Sequence, residues 1–117
     1  MTTIETASLE RLRSSREISE VLRHGRRRAG RLLVVHARES GDRPARVAVT
    51  ASRKVGTAVA RNRTKRLLRA ASRGVAWRDA VDVVLVARAD CAAARAGDVS
   101  AELTLLGDEL GVLRNAQ

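Results

Sequence analysis

The spacing of apolar residues changes several times along this chain, and each change marks an element. Ser14-Ser15-Arg16-Glu17 has capping-box form, with Ser14 as the cap and Glu17 three residues on. Ile18, Val21 and Leu22 follow at helical spacing and Gly25 supplies a stop, which predicts a first helix from about Ser15 to His24. Leu32 to Ala37 is a short branched run that predicts a strand. Ser40-Gly41-Asp42-Arg43-Pro44 predicts a turn, and with it a hairpin into a second strand from Arg46 to Ala51. A long helix starts at Thr57, which can cap it, while Gly56 permits a sharp entry; no Gly or Pro intervenes before Gly74. Val81 to Ala87 is a third strand, the most apolar of the three. Val99, Leu103, Leu106, Leu110 and Leu113 then recur at spacings of four and three, predicting a last helix capped by Asp98 or Ser100. Gly107 and Gly111 argue against an unbroken run there, and the Ala-rich stretch from Ala89 to Gly97 has no readable period. The order is helix-strand-strand-helix-strand-helix, an α+β sandwich with at least three strands.

A chain of 117 residues supports one domain with one modest core. Trp77 is its sole Phe, Trp or Tyr, so Val, Leu, Ile and Ala must build that core. The polar opening predicts a disordered lead-in over residues 1–10. No apolar run approaches the roughly 20 residues of a membrane span, and no signal-peptide pattern opens the chain. With a single cysteine, Cys91, an internal disulfide and a multi-cysteine zinc site are excluded, and a cytoplasmic protein is expected.

Charge changes the picture most. The net charge is +10, which favours a polyanionic partner. Eight cations, Arg53, Lys54, Arg61, Arg63, Lys65, Arg66, Arg69 and Arg73, lie in a zone with no acid between Asp42 and Asp79. Wound at about 100° per residue, Ala60, Thr64, Leu67 and Ala71 form a narrow buried stripe with Leu68 at its edge. Arg61, Asn62, Lys65, Arg66, Arg69 and Arg73 take an opposing arc of about 140°, with Arg63 on the flank. Arginine suits bidentate phosphate contact, and an amide such as Asn62 can bond a base edge or a 2′-hydroxyl. Arg26-Arg27-Arg28 reads either as a solvated loop or as a phosphate contact.

Catalytic groups are scarce. His24 ends a helix and His36 sits mid-strand, and no Gly-x-Ser-x-Gly, Walker or dinucleotide pattern occurs. Asp79 and Asp82 read as a turn residue and an exposed strand position rather than metal ligands, and Cys91 as a buried small residue. No catalytic residue and no protein metal site is assigned.

Ser52-Arg53-Lys54-Val55-Gly56-Thr57-Ala58-Val59, followed by Arg61-Asn62-Arg63-Thr64-Lys65-Arg66-Leu67-Leu68-Arg69, resembles the signature of the bacterial ribonuclease P protein subunit. The resemblance runs from about Leu12 to Arg88. It implies an α-β-β-β-α-β-α fold, a two-layer α-β sandwich with a left-handed βαβ crossover, over residues 11–117. It also implies a non-catalytic subunit of an endoribonuclease. The catalytic RNA subunit, using Mg2+, would remove the 5′ leader of precursor tRNA, and this chain would bind that RNA and the leader. Carried over by motif, Ser52, Arg53, Lys54, Arg61, Asn62, Arg63, Lys65, Arg66 and Arg69 would face RNA; Arg73 joins them from the basic arc. The family's leader cleft, often aromatic, would be lined here by Ile18, Leu22 and His36. For Ile18 and Leu22 a plain core role fits equally. Neither DNA nor a membrane is an expected partner, since strands surround the basic helix and no helix-turn-helix partner precedes it. The alternative is a ribosomal or other structured-RNA-binding protein.

Overall fold

The computed structural model describes residues 10–41 and 43–114; residues 1–9, most of the expected disordered lead-in, lie outside them. In chain order the elements are β1 (Glu10–Arg11), α1 (Ser15–His24), β2 (Arg26–Ala29), β3 (Leu33–Glu39), β4 (Arg46–Ala51), α2 (Ala58–Arg73), β5 (Val81–Ala87) and α3 (Ala96–Leu110). Beyond the very short β1, this is the order that the resemblance implies. The five strands form one sheet in the order β1-β4-β5-β3-β2.

β5 takes the centre because it is the most apolar strand and can be buried on both faces. Val81, Val83 and Leu85 on one face, and Val84 on the other, have no exposed surface. It pairs antiparallel with β3 and parallel with β4, so β3 and β4 never meet and the expected hairpin does not form. Turn residues specify a reversal of the chain, not its pairing partner. The β3–β4 connection instead straddles the start of β5: Ser40 N–H donates to Ala80 O, and Ala80 N–H donates to Arg43 O.

Alternation along the strands sends two sets of side chains to two faces. Leu33, Val35, Ala37, Val47, Val83 and Leu85 meet Leu68 and Ala71 of α2 and Val99, Leu103, Leu106 and Leu110 of α3 in the main core. Ala48 and Val84 meet Leu12 and Val21 in a smaller cluster under α1, with Ile18 and Val86 packed against it. The sheet and the pair α2 and α3 form the thick sandwich, and α1 adds a partial layer on the opposite face.

Several local expectations change in the packed molecule. Arg26–Ala29 is an edge strand on β3 rather than a loop, because β3 offers it a ladder of backbone partners. On α2 the buried residues are Thr64, Leu68, Ala71 and Ser72, so Leu68 centres the stripe and Leu67 is its edge. Helix α3 starts after Arg95 with no side-chain cap and runs through Gly107 to a left-handed Gly111 (φ 73°). Leu113 has left the helix; its side chain lies over Gly107, where an added Cβ would come within 2.9 Å of Leu113 Cδ2.

Two acids have roles that their position in sequence does not suggest. Asp82, expected to be exposed, is buried against Arg46. Glu102 of α3 accepts from the backbone N–H groups of Arg31, Leu32 and Leu33 at 3.2, 2.8 and 2.9 Å, fixing the bend between β2 and β3.

Candidate nucleic-acid interface

The basic helix is positioned by the turn before it. Ser52 Oγ accepts from Lys54 N–H and caps a single 3-10 turn, Arg53–Val55, whose Val55 is buried in the main core. Gly56 then adopts φ 135°, a conformation closed to residues with a Cβ, and swings the chain into α2. Thr57 Oγ1 accepts from Ala60 N–H at 3.2 Å as the N-cap. Thr64, fully buried, satisfies its hydroxyl by donating to Arg61 O. Trp77 closes the far end, its Nε1–H donating to Ser72 O at 2.9 Å.

Rotation about this anchored axis separates the cations into three sets. Asn62, Arg66, Arg69 and Arg73 fall within an arc of about 60° along about 17 Å of helix, all exposed except the half-buried Arg69 at the arc's edge. Arg61 and Lys65 are half-buried on the flank shared with Ser72, and Arg61 Nη1 makes a long bond to Gly56 O at 3.4 Å. Arg63 turns to the other flank, where its guanidinium donates to Ala92 O at 2.7 Å and Ala94 O at 3.2 Å. It therefore ties α2 to the 3-10 turn Ala89–Ala93, a task that its charge did not reveal.

Ion pairing sharpens the division. Arg26, Arg28, Arg31, Arg38, Arg46 and Arg78 all have carboxylate partners. Among the described residues, Arg53, Lys54, Arg61, Lys65, Arg66, Arg69 and Arg73 have none. No acid lies between Asp42 and Asp79, and Glu17, Glu20, Glu102 and Glu109 of α1 and α3 are engaged by other partners. A surface whose charge is not neutralised internally is built for an external polyanion.

Ile18, Leu22 and His36 all sit on the α1 side of the sheet but not in one pocket. Ile18 packs on the smaller cluster and also lines a cavity of about 700 Å³ along the outer edge of β4. Arg11 and Arg13 flank that cavity on one side and Arg69 and Arg73 on the other, with Val47, Ala48 and Val49 in its floor. Ile18 therefore packs on the core cluster while bordering open space. Leu22, one turn on, is 39% exposed. His36 lies farther across the sheet, paired in register with Val84 on one side and Arg27 on the other. Its Nδ1 is buried without a hydrogen-bond partner, and burial together with the Arg27 charge lowers its pKa, favouring neutral imidazole. Beyond it, Val86 and Thr50 stay half-exposed, so an apolar track crosses the sheet beside α1.

Among the described residues, Cys91 is not placed as a nucleophile. Burial pushes the Cys91 thiol up, and its sulfur lies wholly inside the main core. Among the described residues, no three His, Cys, Asp or Glu side chains gather where they could hold a metal ion.

The family model described as Ribonuclease P matches residues 7–110. The chain belongs to the ribonuclease P family. Two curated relatives carry the name ribonuclease P protein component. The one from Acidothermus cellulolyticus is 39% identical over 111 residues, covering 92% of each chain. The one from Syntrophomonas wolfei is 41% identical over 81 residues, covering 68% of each. Among solved structures, the ribonuclease P protein of Thermotoga maritima superposes with a TM-score of 0.73 at 27% identity, over 85% of this chain and 96% of that one. The Staphylococcus aureus protein gives 0.76 at 22% identity over 89% and 97%, a likeness in fold. Family membership makes this chain the protein component of an endoribonuclease, an RNA-binding subunit in tRNA processing. The ribonuclease P RNA is its partner.

Proposed function

We propose that α2 and its lead-in dock on the catalytic RNA, and that the α1 side of the sheet holds the single-stranded 5′ leader of precursor tRNA. The observation that carries this reading is the unpaired charge of α2. Ser52, Arg53, Lys54, Arg61, Asn62, Lys65, Arg66, Arg69 and Arg73 present seven cations, one amide and one hydroxyl to RNA. Arg63 adds its charge while bracing the helix against the neighbouring turn.

For the leader, the cavity beside β4 is the entrance and Ile18, Leu22 and His36 mark the path across the sheet. Aliphatic side chains pack on base faces without reading sequence, and a neutral His36 adds one polar contact. Without a Phe, Tyr or Trp on this path, stacking gives less than the usual ~1–3 kcal/mol per base. Phosphate contacts from Arg69 and the rim then supply more of the affinity, which makes leader binding steeply salt-dependent.

Chemistry belongs to the RNA. Mg2+ is a hard cation that prefers phosphate and water oxygens, which the RNA supplies. The protein neutralises phosphate repulsion so that RNA and precursor assemble with less magnesium. Among the described residues no helix is long and apolar enough to cross a membrane, and the cytoplasm, where tRNA matures, is the proposed site of action.

The test is precursor-tRNA cleavage by the catalytic RNA of a bacterial ribonuclease P at limiting magnesium, with and without this protein. Cleavage restored by the protein, and less so by Arg66→Ala, is the expected result. Folded protein that binds RNA yet gives no stimulation would reject the assignment.

A further inference from the structure

The three arginines of β2 are not equivalent, because a strand sends alternate side chains to opposite faces. Arg26 and Arg28 turn toward α3. Arg26 Nη1 donates to Leu110 O at 2.6 Å and lies 3.6 Å from Glu39, and Arg28 Nε lies 3.2 Å from Glu109. Their charges are taken up in fastening the edge strand to the last helix. Arg27 points to the other face, directly across from His36 in the antiparallel register.

That face of the sheet carries two other cations, and both are neutralised. Arg38 pairs with Glu20, and Arg46 pairs with Asp82 and Glu17. Arg27 is exposed and has no carboxylate partner among the described residues. It stands at the far end of the apolar track, separated from the cavity on β4 by β5 and β3. Three strand spacings put it about 14 Å from the β4 edge.

We infer that Arg27 is an outer phosphate clamp for the precursor leader, holding a phosphodiester that has crossed the sheet from the β4 cavity past His36. The inference rests on the leader reading proposed above. A strand entering at β4 meets Arg69 and Arg73 first, then Ile18, Leu22 and Val86, and finally Arg27 and His36 side by side. The two rims are basic and the middle is apolar, which suits a chain whose phosphates are held at both ends and whose bases lie flat between them. At about 3.4 Å per stacked nucleotide the crossing takes about four nucleotides, and fewer if the strand is stretched. Arg27 therefore acts only on leaders long enough to reach it.

The test measures affinity of the holoenzyme, assembled on a bacterial ribonuclease P RNA, for precursors whose leaders grow one nucleotide at a time. With the shortest leaders Arg27→Ala matches the unaltered protein. Once the leader spans the sheet the variant loses about tenfold in affinity, the size of a hydrogen bond to a charged group. Its salt slope falls by about one, while Arg27→Lys retains the slope. Equal loss at every leader length would overturn the inference, since it would indicate a defect in assembly. So would no loss with Arg27→Ala when Ile18→Ala and Leu22→Ala do weaken long-leader binding; the leader path would then stand and end before β2. If none of these variants responds to leader length, the leader reading itself fails and the clamp with it.

Discussion

Arg46 and Asp82 form a two-bond pair across β4 and β5, with Nε to Oδ1 at 2.8 Å and Nη2 to Oδ2 at 2.7 Å. Their side chains are only 12% and 10% exposed, and Glu17 of α1 adds a second carboxylate at 3.2 Å. Glu17 thereby joins two tasks: its backbone N–H is capped by Ser14, and its side chain pins α1 to the sheet. The Asp82 hydrogen bond first, and Glu17 after it, raise the Arg46 pKa, so this cation is charged throughout the accessible pH range.

Removing Asp82 leaves the nearly buried Arg46 with only the more exposed Glu17 as its partner. Asp82→Ala is expected to lower unfolding free energy by up to about 3 kcal/mol. Urea denaturation measures it. A double replacement of Arg46 and Asp82 by apolar residues of similar volume should cost less than Asp82→Ala alone, because no orphaned charge remains.

Glu102 holds three backbone donors with one carboxylate. In Glu102→Ala those donors lose their acceptor at the β2–β3 bend, at about 1–3 kcal/mol for each that water cannot reach. A stability loss of roughly 3 kcal/mol is expected by denaturation, and faster amide exchange at Leu32 and Leu33 should accompany it. An unchanged exchange pattern would contradict the proposed staple.

Arg63 and Arg66 are neighbours in the signature but differ in duty. Arg63→Ala removes the donors to Ala92 O and Ala94 O, and a stability loss of about 1 kcal/mol is expected along with weaker RNA binding. Arg66→Ala should leave stability unchanged and reduce the salt slope of RNA binding by about one. Thermal unfolding and salt-dependent titration of the two variants separate bracing from binding.

His36 provides a pH signature. Its pKa is lowered in the folded protein by burial and then by Arg27, so the unfolded chain takes up the proton first as pH falls. Stability is full above the ordinary histidine pKa of about 6.5 and declines as pH drops through it toward the folded value. The lowered Glu39 carboxyl, bonded to Arg78, loses its stabilising effect only below its ordinary value of 4.5, so the two effects occupy separate windows. Stability measured from pH 7 to pH 5 should fall for the parent protein and fall less for His36→Phe. Equal slopes would show that His36 does not carry the effect.

Local chemistry made much of this protein readable in its sequence. Ser14 and Thr57 are caps because a hydroxyl can serve the first free N–H groups of a helix, and both helices begin where those residues place them. β4 and β5 have the bounds that their branched runs suggest, and the acid-free run of sequence around the basic helix is plain in the residues themselves. The signature around Arg61, Asn62 and Arg63 was enough to point to the family.

Relations between distant residues became visible only in the tertiary structure. The turn before Pro44 announced a reversal, yet β5 competed better than β4 for the side of β3, since only the central position buries both of its faces. Leu68 outranks Leu67 because α2 rolls to fit the sheet beneath it, which periodicity alone leaves uncertain by half a residue. Asp82 reads as an exposed strand position until packing brings Arg46 to it, and only packing brings Glu102 to the β2–β3 bend. The same holds for three consecutive arginines: composition gives them one charge each, and the pleat of β2 assigns two to the fold and turns the third, Arg27, to the opposite face beside His36.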